Sequence, residues 1–271
     1  NPNLNKGSPA DMKIPFIKRV KNLKIDSVFV TDVGLKRSNN EDSGISVSGP
    51  ESPSGTQGVF IVADGMGGHE SGEVASSMAV ESLLGELTNM VEDITIPPGG
   101  YSELIRRMVR NANAKIRKAG KADKPQSMGT TCTACVVKDR KAHIVHVGDS
   151  RAYLLRDGDL RQLTEDHSYV AEQVALGRMT SEEARVHPRR NVITRALGTS
   201  GKVECDIITL ELFAKDIVFI SSDGLHGLVP DIEIKQALTD LPFKKGVSWL
   251  MNRALENGGT DNVTIAAGLI R

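Results

Sequence analysis

A chain of 271 residues with 34 Lys+Arg against 34 Asp+Glu carries no net charge that would draw it to nucleic acid or to an anionic membrane. Its 39% hydrophobic and 25% charged residues are those of an ordinary globular protein, long enough for one large domain or two small ones. Three cysteines exclude a disulfide framework; there is no signal-peptide h-region and no apolar run near the roughly 18 residues that span a bilayer.

Residues 1–24 read as a basic tail, with Pro2, Pro9 and Pro15 and six Lys/Arg against one Asp. It is either a solvated arm or a segment docking on an acidic partner or a membrane surface. Because the chain begins at Asn1, a preceding membrane anchor stays open. Residues 25–31 and 43–48 read as strands, and Gly58–Ala63 as a buried strand ending at Asp64-Gly65. Residues 71–91 read as a helix, with Val74, Ala75, Met78, Ala79, Leu83 and Leu87 at helical spacing. Residues 101–119 carry a clearer stripe: Tyr101, Leu104, Ile105, Met108, Val109, Ala112 and Ile116. Strands follow at 130–137, 142–147 and 151–155, and Asp157-Gly158 turns the last into 160–163. The Cys132-x-x-Cys135 pair lies in a β-branched run and reads as packed strand cysteines. A zinc site would need a second ligand pair, and none has suitable spacing. Residues 166–187 read as helical in pieces, with Thr180 and Glu183 as a capping box and Pro188 as a stop. Strands at 203–210 and 216–222, helices at 231–239 and 245–256, and a last strand at 262–269 complete the chain. Helices come in pairs between groups of hairpin-linked strands. This order favours an α+β layered sandwich of antiparallel sheets covered by helix pairs.

Aspartates recur where strands end. Val-Phe-Ile-Val-Ala63 runs into Asp64, His-Ile-Val-His-Val-Gly148 into Asp149, and Ile-Val-Phe-Ile-Ser-Ser222 into Asp223. Asp261 instead precedes the last strand. If that strand is antiparallel to a neighbour, its start lies beside the neighbour's end, and all four carboxylates share one edge. One Asp-Gly alone is only a turn. Several carboxylates together repel one another unless a cation neutralises them, and oxygen ligands without His or Cys favour Mg²⁺ or Mn²⁺ over Zn²⁺. The loop from Gly34 to Asp42 adds Arg37, suited to holding a phosphate bidentately, and the acids Glu41 and Asp42. Taken alone it is a polar surface loop.

These segments resemble the metal-dependent protein serine/threonine phosphatases of type 2C, in their bacterial branch. The resemblance rests on Arg37–Asp42, Val62–His69, Gly129–Thr131, Val147–Arg151, Leu163–Ser168, Ser222–Gly224 and Gly259–Asn262, in the family's order and spanning about residues 28–270. It implies one catalytic domain over 25–271, a four-layer α-β-β-α sandwich of two antiparallel sheets flanked by paired helices, and two Mn²⁺ or Mg²⁺ ions at one end of the sandwich. Asp64 would bridge the ions, Gly65 would offer a carbonyl, and Asp223 and Asp261 would bind the first ion. Glu41 and Asp42 would face the second, and Arg37 would bind phosphate. Asp64, Asp223, Asp261 and Arg37 would be the catalytic set, acting through a hydroxide activated at the two-metal centre. Gly227 stands where many members carry an acid that helps bind a third, weaker ion, which counts against that ion here; any third ion would rely on Asp149 and Asp223 with water. Met66 stands where eukaryotic members often carry a histidine, which leaves His69 or water to protonate the leaving oxygen. Residues 166–200 would form a flap beside the site, made basic by Arg178, Arg185, Arg189, Arg190 and Arg195. The implied partners are phosphorylated proteins, a Ser/Thr kinase and its substrates, with no nucleic acid, no membrane except through a preceding segment, a cytoplasmic location and a monomeric state. The alternative is a pseudophosphatase that binds phosphoproteins without turnover; the full set Asp64, Asp223 and Asp261 argues against it.

Overall fold

A computed structural model describes residues 23–53, 55–67, 70–89, 100–120 and 128–271. Almost all of the tail, the last positions of the expected helix 71–91, and His69 lie outside the described residues. Eleven strands among the described residues form two antiparallel sheets. The first places β1 (Ile25–Asp32), β11 (Val263–Ile270), β10 (Ile217–Ser221), β7 (Arg151–Arg156) and β8 (Asp159–Gln162) side by side. The second runs β2 (Asp42–Ser48), β3 (Gly58–Met66), β5 (Cys132–Lys138), β6 (Lys141–Val147) and β9 (Asp206–Glu211), with the two-residue β4 (Gly129–Thr130) on the end of β3.

Side chains alternate across each strand, so the central strands, covered on both sides, read as continuous apolar runs. On β3, Val59, Ile61 and Ala63 pack against helices α1 (Glu70–Thr88) and α2 (Gly100–Gly120). Phe60 and Val62 face the other sheet, packing with Val218, Ile220 and Ala266. The Phe60 ring fits there because Gly268 on the facing strand offers no side chain. On the far side, Phe219, Val263 and Ile265 pack against α6 (Asp231–Asp240) and α7 (Phe243–Glu256). Three apolar layers thus separate four layers of secondary structure, as the family resemblance implies. Among the described residues no helix is long and apolar enough to cross a membrane.

Four details depart from the expectation. β3 does not stop at Asp64: it runs on to Met66 because Gly65 and Met66 find a partner in β4. The expected strand 130–137 is broken at Thr131, where pairing to β3 passes from β4 to β5. Asp223–His226 closes into a short helix, α5, where a turn alone is legible in the sequence. Val74 is 44% exposed, and α1 instead buries Ala75, Ala79, Val80, Leu83 and Leu87. The cysteines are as expected: three residues apart on β5, Cys132 and Cys135 face opposite layers, one toward the helices and one between the sheets. They cannot pair or chelate together.

Candidate metal centre

Antiparallel pairing sets Asp42, at the start of β2, directly opposite Asp64 on β3. Directly opposed residues project from the same face, so their carboxylates are neighbours. β10 and β11 are antiparallel neighbours, so Asp223 beyond the end of β10 comes beside Asp261 before the start of β11. Asp42 joins the two sheets. Its Oδ2 accepts from the Ser222 hydroxyl at 2.7 Å, and the Ser222 oxygen accepts from the Thr264 amide at 2.9 Å. The carboxyls of Asp64 and Asp223 are themselves within hydrogen-bond reach. Asp149 enters from the turn between β6 and β7.

The loop from Val33 to Glu41 is fixed by Asn262, which accepts from the Glu41 amide at 2.8 Å and donates to the carbonyls of Val33 and Asn39 at 2.9 Å. Gly34, at φ +76°, lies against the Asp261 carbonyl, where a Cβ has no room. Arg37 is thereby brought to the rim, where Nη2 meets Asp261 Oδ2 at 2.7 Å. The Glu41 carbonyl accepts from the Gly65 amide at 3.1 Å and from Ser76 Oγ at 2.6 Å. Gly65 and Gly72 are both glycine for a steric reason: a Cβ on either would overlap the other's backbone or Glu41.

Five carboxylates at one end of a sandwich are electrostatically expensive. Burial, more than the hydrogen bonds from Ser222 and Thr264 can offset, pushes Asp42 up to about 7. Burial, then repulsion from Asp42, Asp223 and Asp149, holds Asp64 well above the usual carboxylate range. Burial and Asp223 push Asp149 up to about 8, and burial and Asp261 push Asp223 up to about 6. Asp64 and Asp223 keep part of their surface open at the rim, yet burial is still the first cause. Asp166 behaves oppositely. Burial raises it, but the fork of Arg151, at 2.9 and 2.7 Å, outweighs that and holds it below its ordinary value.

The donor set fits a pair of hard divalent cations. All candidate ligands are oxygen, and two buried oxygens, Asp42 Oδ1 and Asp149 Oδ1, lack a hydrogen-bond partner. Among the described residues, no three acidic, His or Cys side chains yet surround one point as an ion's ligands would. Arg37 holds Asp261 Oδ2 and Ser222 holds Asp42 Oδ2. His226 is no substitute for the missing acid at Gly227. Its ring is turned to the backbone of Asp149 and Ser222, and burial and Arg151 push it down to about 3, so it is neutral.

Residues 166–200, the segment expected as a flap, carry α3 (Tyr169–Ala175) and α4 (Ser181–Val186), with the expected Thr180–Glu183 capping box. Arg178, Arg185, Arg189 and Arg190 are all exposed, and Arg189 lies 5.2 Å over the Tyr169 ring. Arg195 differs from them, pairing with Asp206 at 3.4 Å. Sequence reasoning brought Arg37, Glu41, Asp42, Asp64, Gly65, Asp149, Asp223 and Asp261 to one place, and the structure places them there. It gave no role to Ser222, Asn262, Thr131 or His167. Each sits inside a recognised segment, but its partner lies far away in the chain.

A family model described as Protein phosphatase 2C matches residues 49–262. The serine/threonine phosphatase Stp of Listeria monocytogenes is 37% identical over 239 residues, covering 88% of this chain and 92% of that protein. The crystal structure of Stp1 from Staphylococcus aureus superposes with a TM-score of 0.83 at 33% identity, covering 93% of this chain and 98% of that one. The catalytic domain of the phosphatase PstP in complex with two manganese ions does so at 0.78 and 35%, covering 92% and 99%. The likeness in sequence and in three dimensions extends over nearly all of the described residues, and the chain belongs to the protein phosphatase 2C family.

Proposed function

We propose that this chain hydrolyses phosphoserine and phosphothreonine on proteins, with two Mn²⁺ or Mg²⁺ ions held by the carboxylate cluster. The observation that carries the reading is the convergence of Asp42, Asp64, Asp149, Asp223 and Asp261 at one end of the sandwich, four of them with raised pKa values. Such a cluster either holds protons or, fully ionised, needs positive charge to enter it. Asp64, Asp223 and Asp261, with Asp42, Glu41 and the Gly65 carbonyl beside them, are the groups that would hold the ions. When bound, the ions supply a water acidic enough to ionise near neutral pH and neutralise charge on the phosphoryl group. Arg37, half exposed at the rim, turns from Asp261 to hold two phosphoryl oxygens and so aligns phosphorus for in-line attack. Its positive charge also offsets the charge developing on those oxygens. The exposed arginines of the flap offer a cationic surface to the peptide around the phosphate.

The names of the relatives support phosphoproteins as substrates, and a Ser/Thr kinase is the counterpart whose products the enzyme reverses. Single-chain action is consistent with a site built wholly from one chain. The experiment is turnover of p-nitrophenyl phosphate and of a phosphothreonine peptide with Mn²⁺, with Mg²⁺ and with chelator. Activity should require the ion and fall at least ~10³-fold in Asp64→Ala and Asp223→Ala. Metal-dependent turnover that survives both substitutions would refute the assigned centre.

A further inference from the structure

The segment Leu163–Ser168 contains a histidine that the reaction as described does not use. His167 is 5% exposed and far from the rim position of Arg37 in chain and in element. Its surroundings are unusually specific. Its backbone amide donates to the Gly148 carbonyl at 2.7 Å, and its Nδ1 accepts from the Gly148 amide at 3.1 Å. Since an amide can only donate, Nδ1 carries no proton, and in the neutral ring the proton is on Nε2. That nitrogen lies 3.0 Å from Asp206 Oδ2, at the start of β9. Arg195 Nη1 lies 3.2 Å from the same ring nitrogen and 3.4 Å from the other oxygen of Asp206; with Nε2 protonated, the carboxylate is the acceptor for both, and the His167 carbonyl accepts from the Thr194 amide at 2.8 Å. The His146 ring packs against it with centroids 4.7 Å apart.

His167 is therefore where four pieces of chain meet: the Gly148–Ser150 turn, both legs of the flap and β9. The turn it grips is the one that carries Asp149, and it is gripped from the opposite side as well. Gly148 has φ +112°, and a Cβ there would lie 2.6 Å from the Thr131 side chain. The Thr131 hydroxyl lies 2.8 Å from Ser150 Oγ and accepts from the Asp64 amide at 2.9 Å. One run of hydrogen bonds thus connects His167, through the turn, to the backbone of the carboxylate at the centre of the cluster.

We infer that His167 is a positioning residue for the metal centre: its Nδ1, held in place by Asp206 on Nε2, locks the Gly148–Ser150 turn and with it the direction of Asp149 and the placement of Asp64. The inference rests on the reading that these carboxylates face the ions. Partners that orient ligands without touching the ion typically matter about 10–100-fold in affinity or activity.

The test uses two isosteres that each keep half of the histidine. The amide oxygen in His167→Asn can occupy the place of Nδ1 and accept from Gly148, but it cannot reach Asp206. The amide of His167→Gln can reach Asp206 but leaves Gly148 without an acceptor. Mn²⁺ binding is measured by calorimetry, and kcat and KM with p-nitrophenyl phosphate, which is too small to need the flap. His167→Ala should weaken Mn²⁺ binding about 10-fold or more and lower kcat, with KM changed less than about 2-fold. His167→Asn should recover most of both losses and His167→Gln little. If His167→Ala does not fold, Asp206→Ala, at a half-exposed position, should still weaken Mn²⁺ binding about 2–5-fold by freeing the ring. Equal recovery by Asn and Gln, or unchanged Mn²⁺ binding in His167→Ala or Asp206→Ala, would overturn the inference. Loss of all Mn²⁺ dependence in the unsubstituted protein would instead sink the metal centre itself.

Discussion

Ser222→Ala is the sharpest perturbation of the join between the sheets. The hydroxyl is fully buried, donates to Asp42 Oδ2 at 2.7 Å and accepts from the Thr264 amide at 2.9 Å. Removing it withdraws a hydrogen bond to a charged group, about 1.5–3 kcal/mol, and leaves one buried amide without a partner, about 1–3 kcal/mol. The two losses share one oxygen and will not add fully, so the expected cost is roughly 2–4 kcal/mol. At about 2 °C per kcal/mol for a chain of this size, Tm should fall by roughly 4–8 °C in saturating Mn²⁺. A loosened Asp42 should also weaken Mn²⁺ binding about 10-fold, which removes about 1.4 kcal/mol of the stabilisation that the ion gives at a fixed concentration. Thermal unfolding with Mn²⁺ and with chelator measures both parts. Ser248→Ala, whose hydroxyl merely bonds back to Lys244 on the exposed side of α7, is the control and should change little. A Ser222→Ala protein that unfolds within about 1 °C of the unsubstituted one in both conditions would refute the idea that this hydroxyl couples the sheets to the site.

Two further outcomes follow from buried titratable groups outside the cluster. Burial, helped by His167, pushes His146 down to about 4, while in the unfolded chain it titrates near 6.5. The unfolded state then binds more protons at this site between those values, so the contribution of His146 to stability falls as pH drops through that window, by about 2 kcal/mol between pH 7 and 5. The raised carboxyls of the cluster work in the opposite direction, so the readout is a difference: the unfolding free energy of the unsubstituted protein relative to His146→Gln, from urea unfolding, should fall by about that amount between pH 7 and 5, and parallel pH profiles would contradict it. Burial likewise pushes the Cys132 thiol up to about 12 and Cys135 higher still, with Cys205 raised but only half-buried. Native protein at pH 8 should give no more than one rapidly reacting thiol with dithionitrobenzoate, and three after unfolding. Two or three fast thiols in the native state would show that β5 is less closed than its packing indicates.

The sequence by itself carried the alternation of apolar residues, the strand-ending aspartates and the paired helices, and so determined the layered α+β class and named the aspartates as candidates for a shared site. Those signals are local: period-two and period-3.6 patterns and turn chemistry lie within a few neighbouring residues. The end of β3 was not legible, because Asp64-Gly65-Met66 stays extended only by virtue of β4, more than 60 residues away. The helix at Asp223 was not legible either, being four residues long. Tertiary structure alone decided which carboxylates meet. The register of Asp42 against Asp64, and the reach of Ser222 across 180 residues to Asp42, are set by how the two sheets stack. The same holds for His167. Its place in the chain says nothing of Gly148 or Asp206, and the ring's surroundings come from pieces of chain that meet only in the fold. Patterns along a chain report burial and direction, whereas a site is made where distant strand ends coincide, and only the packed sandwich fixes that coincidence.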